Sequence, residues 1–277
     1  MTRKLLVPTD FSEQADQAFE VACQLAKRYK AQLHLIHLVE FPHTSLESVT
    51  GSQNFEPPEA LFFLKMAQKK FQELKSRHFA TDINIIDTVK FSPIHQGILD
   101  YAKNESIDTI IMGSHGTSGF EELFIGSNTE KIVRHATHPV LVIKKQHTDF
   151  NVKTLVFATD LEDDNIEPIK KAMQFAEAEN ANLKVVYINT PDRFETSERI
   201  TSLFKTFSAK INKTISNFEI YNDLKVERGI MNYAKNINAD LIAIGTHGRK
   251  GLAHFFNGSL SEDLVNHAKR PVLTFKI

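Results

Sequence analysis

The chain has 277 residues, 42% hydrophobic and 24% charged, enough for about two ordinary domains that each bury a core. A net charge of −1 gives no global basic field to draw in nucleic acid or an anionic membrane. A single cysteine, Cys23, excludes an internal disulfide and a cysteine metal cluster, and no apolar run is long enough to span a bilayer.

The apolar run at 4–9 has a strand pattern and ends in Pro8-Thr9-Asp10; it turns polar too early for a signal-peptide core, which fits a reducing cytoplasm. Ala15, Ala18, Phe19, Ala22, Leu25 and Ala26 then share one helical face, with Cys23 beside them as an inert buried thiol. A strand is expected at 33–39, a polar loop at 41–58, and a helix under the stripe Leu61, Leu64, Ala67, Phe71 and Leu74. Next come a strand at 83–89, a helix at 94–103, a buried strand at 109–112, a helix at 127–136 and a strand at 139–144.

The second half repeats that order. A strand at 155–159 ends in Thr159-Asp160, where Asp163 offers a helix cap as Ser12 does in the first half. A helix at 168–179, a strand at 183–188, a helix carrying Ile200, Leu203, Phe204, Phe207 and Ile211, and a strand at 218–221 follow. A helix at 228–236, a strand at 241–244, a helix at 259–268 and a strand at 272–276 complete the order. The repeat is visible residue by residue, because residues 113–144 and 245–276 align without a gap, roughly half of them identical. Tyr101-Ala-Lys-Asn and Tyr233-Ala-Lys-Asn lie at the same separation of 132 residues, whereas Asp10 and Asp160 lie 150 apart. The first half therefore holds 18 extra residues, assigned mostly to the loop at 41–58.

Alternating strands and helices joined by short loops require parallel sheets covered by helices on both faces. The expected fold is α/β, with domains at 1–146 and 151–277 joined by a short polar linker at 145–151. The last strand of each half is an edge that needs a partner, so the halves are expected to pair through those strands.

In such sheets ligands bind beyond the carboxyl ends of the strands, where strand order reverses. Each half carries Gly-x2-Gly-x9-Gly-Ser there: Gly113, Gly116, Gly126 and Ser127, then Gly245, Gly248, Gly258 and Ser259. Small residues at a helix start leave backbone N–H groups open to phosphate; the alternative is a plain serine N-cap. Asp10 and Asp160 end their strands in the expected pocket, where a carboxylate accepts from a purine amino group or a ribose hydroxyl. His115 and His247 lack a nucleophile or carboxylate partner in the pattern and fit backbone-bonding loop positions better than a general base. Gly-x4-Gly-Lys-Ser/Thr, Gly-x-Gly-x-x-Gly after the first strand and Gly-x-Ser-x-Gly are all missing. Fast phosphoryl transfer thus lacks its usual parts.

With these residues the chain resembles the universal stress protein family in its tandem two-domain form. The resemblance implies two five-stranded parallel sheets of order 3-2-1-4-5 and the binding of ATP or another adenine nucleotide, with Mg²⁺. By position it places Asp10 and Leu38 at the adenine, Thr9 and Met112 in the pocket wall, Gly113 and Gly116 at ribose and phosphate, and Gly126, Ser127 and Asn128 at the phosphates. The matching second-half positions are Thr159, Asp160, Ile188, Ile244, Gly245, Gly248, Gly258, Ser259 and Leu260. The second half departs from the pattern at Ala158, Leu161 and Glu162, and its acids Asp160, Glu162, Asp163 and Asp164 crowd one loop, so the first site ranks higher. Three functions follow: a cytoplasmic nucleotide-binding stress or regulatory protein, a slow Mg²⁺-dependent ATPase or phosphotransferase, and a nucleotide-free scaffold. The partners expected are adenine nucleotide and an unidentified protein, not nucleic acid or membrane, and pairing of two chains into a homodimer stays open.

Overall fold

Strand β1 (Lys4–Pro8) is buried from Leu5 onward, as a strand covered on both faces must be. The fold is described from a computed structural model covering residues 2–40, 58–77, 82–114, 126–246, 264 and 267–277. Helix α1 (Glu13–Tyr29) begins at Ser12, whose Oγ accepts from the Ala15 N–H, and carries Glu13 and Asp16 in its first turn and Lys27 and Arg28 in its last. Its apolar stripe, Ala15 through Ala26, is buried as the period predicts. β2 (Gln32–Val39), α2 (Pro58–Arg77), β3 (Ile85–Phe91), α3 (Ile94–Asn104), β4 (Thr109–Gly113), α4 (Ser127–His135) and β5 (Val140–Ile143) complete the first half.

The second half runs β6 (Thr154–Ala158), a 3-10 turn at Asp163–Asn165, α5 (Ile166–Glu179), β7 (Asn182–Asn189), α6 (Ser197–Ile211), β8 (Phe218–Asn222), α7 (Val226–Asn236), β9 (Leu241–Thr246) and β10 (Val272–Lys276). The helix expected at 259–268 falls largely outside the described residues. Eighteen residues separate β2 from α2 and seven separate β7 from α6, so most of the extra length lies where expected. Part of the rest is helix: α2 has 20 residues and α6 has 15.

The strands form one sheet in the order β3-β2-β1-β4-β5-β10-β9-β6-β7-β8. Each half has the order 3-2-1-4-5, but the two open sheets expected from sequence are a single ten-stranded sheet. β5 and β10 cover each other's edge by pairing antiparallel, with Leu141 opposite its own repeat copy Leu273. Thr274 Oγ1 donates to Val140 O at 3.3 Å and Lys276 Nζ to Arg134 O at 3.1 Å across this joint. Two smaller expectations are corrected. β3 starts at Ile85 rather than 83. Asp163 does not cap α5; it lies in the 3-10 turn, paired with Lys210 Nζ at 2.6 Å.

The core lies in two layers, one on each sheet face, and pleating sorts neighbouring residues between them. Leu5 and Val7 join Phe19, Phe71, Phe157 and Phe207 in one layer, whereas Leu6 joins Ile36, Ile98 and Ile132 in the other. Each of those four phenylalanines is at most 1% exposed, a burial that favours folding by about 1.5–3 kcal/mol apiece. The first layer runs through both halves. On it Glu179 of α5, its side chain wholly buried, accepts from the Arg28 guanidinium and the Tyr29 hydroxyl of α1. The linker is fastened beside them, since Gln24 Nε2 donates to His147 O at 2.9 Å and Phe150 N donates to Gln24 Oε1 at 2.6 Å.

Candidate functional site

The turn after β1 is shaped by a chain of short-range bonds. Phe11 takes a left-handed φ of 63° so that its N–H reaches Thr9 Oγ1 at 2.9 Å, and Ser12 N–H then reaches Asp10 Oδ1 at 3.0 Å. A left-handed non-glycine residue costs about 1–2 kcal/mol, and the two side-chain acceptors and a packed ring offset it. The Phe11 ring lies 4.6 Å from the His37 ring and 5.3 Å from that of Phe71, with Lys70 Nζ 5.0 Å from its centre. His37 Nδ1 bonds Thr9 O at 2.8 Å. Burial lowers the His37 pKa and nearby Lys70 adds to this, while the Thr9 carbonyl and Asp10 oppose it.

On the other side of the switch point, β4 ends at Gly113. A Cβ there would lie 2.4 Å from the Gln14 carbonyl oxygen, so only glycine lets the strand end touch the first turn of α1. α4 is tied to the same strand end: Gly126 N donates to Ser114 O at 2.7 Å and Thr129 Oγ1 to Gly113 O at 2.9 Å. Gly126 is the helix N-cap and Ser127 the first helical residue, so the serine-cap alternative is displaced by one position. The first bond within α4 is Glu130 N to Gly126 O. The N–H groups of Ser127, Asn128 and Thr129 therefore precede any intrahelical acceptor.

Between these two strand ends lies a cavity of about 300 Å³ lined by Thr9, Asp10, Leu38, Met112, Gly113, Gly126, Ser127 and Asn128, together with Ala15 and Ile98. Eight of the nine first-half positions named from sequence thus share one cavity. The ninth, Gly116, lies outside the described residues, as does His115. Among the described lining residues Asp10 is the charged one; the end formed by α4 presents backbone amides rather than a lysine or arginine.

Sequence inspection missed Pro8, Ala15, Ile94, Ile98 and Thr129 as lining residues. Ile94 and Ile98 reach the cavity because Gly97 lets α3 press onto β2, where a Cβ would stand 2.1 Å from Leu38 Cδ2. The signal was present, since Gly97-Ile98 recurs as Gly229-Ile230, 132 residues on. Gly229 meets Ile188 in the same way, at 2.5 Å.

In the second half, Thr159, Asp160, Ile188, Ile244 and Gly245 fall at the equivalent strand ends; Thr159, Ile188 and Ile244 are buried. Gly248, Gly258, Ser259 and Leu260 lie outside the described residues, as does His247. Asp160 Oδ1 accepts from Glu162 N at 3.0 Å and from Asn165 Nδ2 at 2.8 Å. Among the described residues no group of three or more His, Cys, Asp or Glu is placed to hold a metal ion, and no helix is long and apolar enough to cross a membrane.

A doubly wound sheet built twice in one chain and joined edge to edge, with a cleft at the switch point of the first half, defines the class of protein. The chain belongs to the universal stress protein family, whose model matches residues 1–144 and 219–276. Universal stress protein MJ0577 of Methanocaldococcus jannaschii is 29% identical over 163 residues, covering 53% of this chain and 98% of the relative. Universal stress protein Slr1230 of Synechocystis is 25% identical over 99% of this chain and 100% of the relative. Among solved structures, a universal stress protein from Archaeoglobus fulgidus matches 99% of this chain and 96% of its own with a TM-score of 0.72 at 17% identity, a likeness of fold.

Proposed function

We propose that the first half binds ATP or a closely related adenine nucleotide, and that the protein is a cytoplasmic stress-response regulator whose packing or partner contacts depend on that ligand. The observation that carries this reading is the polarity of the 300 Å³ cavity: a carboxylate at the β1 end and a helix N-terminus at the α4 end. Asp10 suits the amino group or ribose hydroxyls of a nucleoside, and repulsion keeps the phosphates away from it. The amides of Ser127 and Asn128 and the positive end of α4 suit phosphate oxygens. Leu38, Ile98 and Met112 offer apolar walls to the base between them. The volume sits at the lower end for small-molecule sites, so the outer phosphates would extend toward solvent. Mg²⁺ would then be held by the phosphates and water rather than by a protein cage.

Among the described lining residues there is no lysine, arginine or histidine, the side chains that usually assist phosphoryl transfer. Calorimetric titration of the whole chain with ATP and Mg²⁺ tests the reading. Heat and a raised melting temperature are expected at millimolar nucleotide, and neither signal appearing would overturn it.

A further inference from the structure

We propose that the groove where the linker crosses the second half binds a small phosphomonoester by its phosphate group. The groove holds about 570 Å³ and lies at the amino ends of β6, β9 and β10, walled by the linker, by residues 238–240 and by residues 269–271. All of these residues are described, and none of them lines the first-half cleft. The site does not depend on the nucleotide reading of that cleft.

Three cations face the groove, Lys145 from the linker and Lys269 and Arg270 from the turn before β10, against two carboxylates, Asp149 and Asp240. Asp240 is already engaged, since its Oδ2 accepts from Lys153 N at 2.9 Å and from Thr154 N at 2.8 Å. Val142 opposite Val272 is the last ladder pair at this end of the β5–β10 joint, and Lys145 and Lys269 each lie three residues past it (145 − 142 and 272 − 269). The fold thus sends two like charges to one end of the joint, and among the described residues neither lysine has an ion-pair or hydrogen-bond partner. Arg270 Nε donates to Ala239 O, which holds the guanidinium in place while its two Nη nitrogens have no partner. A fixed guanidinium with free N–H groups is a planar donor fork that matches phosphate oxygens and has little freedom left to lose on binding. His147 stands in the same wall, and its Nε2 is buried without a hydrogen-bond partner.

The repeat shows that the fold does not require these cations. Lys269-Arg270-Pro271 is the copy of Thr137-His138-Pro139, 132 residues earlier, as Asn238-Ala239-Asp240 is of Ser106-Ile107-Asp108. The structural parts are kept: Asp108 accepts from Lys4 N at 2.7 Å as Asp240 does from Thr154 N, and each proline precedes its strand. Thr137 and His138 become Lys269 and Arg270 in the copy that the linker crosses.

The volume is within the range of small-molecule sites and exceeds what a bare phosphate ion fills. Side-chain amides of Gln146, Asn151 and Asn238 offer hydrogen bonds to hydroxyl groups. Phe150, the aromatic ring of the wall other than the imidazole, is 1% exposed and gives a nucleobase no platform. A phosphate ester with a polar, hydroxylated body fits these walls.

Amide NMR spectra of the full chain, titrated with inorganic phosphate at constant ionic strength, test the site. Saturable shifts are expected at residues 145–151 and 269–270, with chloride giving none. Arg270→Gln should weaken phosphate binding about tenfold or more, and Lys269→Gln, at an exposed side chain without partners, about threefold. Should Arg270→Gln fail to fold, Arg270→Lys, which keeps the charge and loses the fork, is expected to bind more weakly than the wild type. Glucose 6-phosphate should shift the same amides at lower concentration than phosphate, and glucose should shift none. No saturable shift at those residues, or shifts confined to Ser127 and Asn128 of the first cleft, would overturn the proposal. So would unchanged affinity in the folded Lys269 and Arg270 variants. Glucose 6-phosphate binding no tighter than phosphate would overturn the choice of a phosphomonoester.

Discussion

At the scale of single residues, Asp10 is placed by bonds that do not involve a ligand: Ser12 N–H holds one oxygen, and the left-handed Phe11 turns the chain beneath it. Asp10→Ala should weaken ATP binding by about 1–3 kcal/mol, the range for losing a charge-assisted hydrogen bond. Titration against ATP and against inorganic triphosphate checks this, because an equal loss for both ligands would show that the carboxylate does not meet the nucleoside. Cys23 is a residue of the opposite kind, packed in the core of α1, where burial pushes its thiol up to about 12. A thiol-specific reagent at about pH 8 should leave the native chain unlabelled and react only as fast as it unfolds, since thiolate is the reactive form. Rapid labelling of the folded chain would contradict the burial.

At the scale of elements, two helix positions matter because of what approaches them. Gly126 has φ −58° and ψ 138°, angles open to any residue, so its small size rather than its backbone freedom is what the site uses. Gly126→Val should cost stability no more than about 1 kcal/mol yet abolish nucleotide binding, because a β-branched side chain would stand over the amides of Ser127 and Asn128. A melting curve and a titration on one sample separate the two effects; unchanged affinity would mean that phosphate lies elsewhere. Gly97 behaves differently, as its Cβ would collide with Leu38 and Ser92. Gly97→Ala should destabilise by about 1–3 kcal/mol through overpacking, and by moving Leu38 it should also weaken binding at the cleft. A denaturant midpoint equal to that of the wild type would show that α3 yields without strain.

At the scale of the whole molecule, the halves are joined by the β5–β10 pair and by Glu179, a carboxylate on α5 that accepts from Arg28 and Tyr29 of α1. Arg28 keeps a third of its side chain exposed, so solvent screening tempers the pair. Glu179→Gln should therefore cost about 1–3 kcal/mol, read as a shift in the denaturation midpoint. Acid should also destabilise the chain. Burial is the leading cause that lowers the pKa values of His34, His37, His138 and His147 below their ordinary 6.5. Below that value the unfolded chain binds protons that the folded chain refuses, so stability fully present above pH 6.5 is lost as the pH falls from there through the lowered folded-state values. Denaturant midpoints measured on either side of that pH should show a lower value on the acid side, and a midpoint that rises on acidification would contradict the burial of these rings.

Much of this molecule was fixed by local pattern. Hydrophobic period placed the described strands and α-helices to within a few residues, though not the 3-10 turns at Asp163–Asn165 and Pro191–Arg193, and a repeat offset that shifts from 150 to 132 located the extra length between β2 and α3. The first-half cleft was legible as well, because strand ends and a helix start bring their own backbone to the site, and Thr9, Asp10, Gly113, Gly126 and Ser127 are read from the elements they terminate. Decisions that depend on which side chain enters a shared space were not legible. The joining of the halves through the bare edges of β5 and β10 was expected, but the antiparallel register that fuses two sheets into one, Leu141 opposite Leu273, is not something periodicity within a strand can reveal. The tight seat of α3 on Leu38 and the packing of Asn165 against Gly245 depend on contacts between segments tens of residues apart, so close that a Cβ on either glycine would stand under 3 Å from its neighbour. A sequence records that Ala15 and Asn165 differ; only the folded chain brings Asn165 onto Asp160 and Gly245, because partners so far apart in sequence meet through packing.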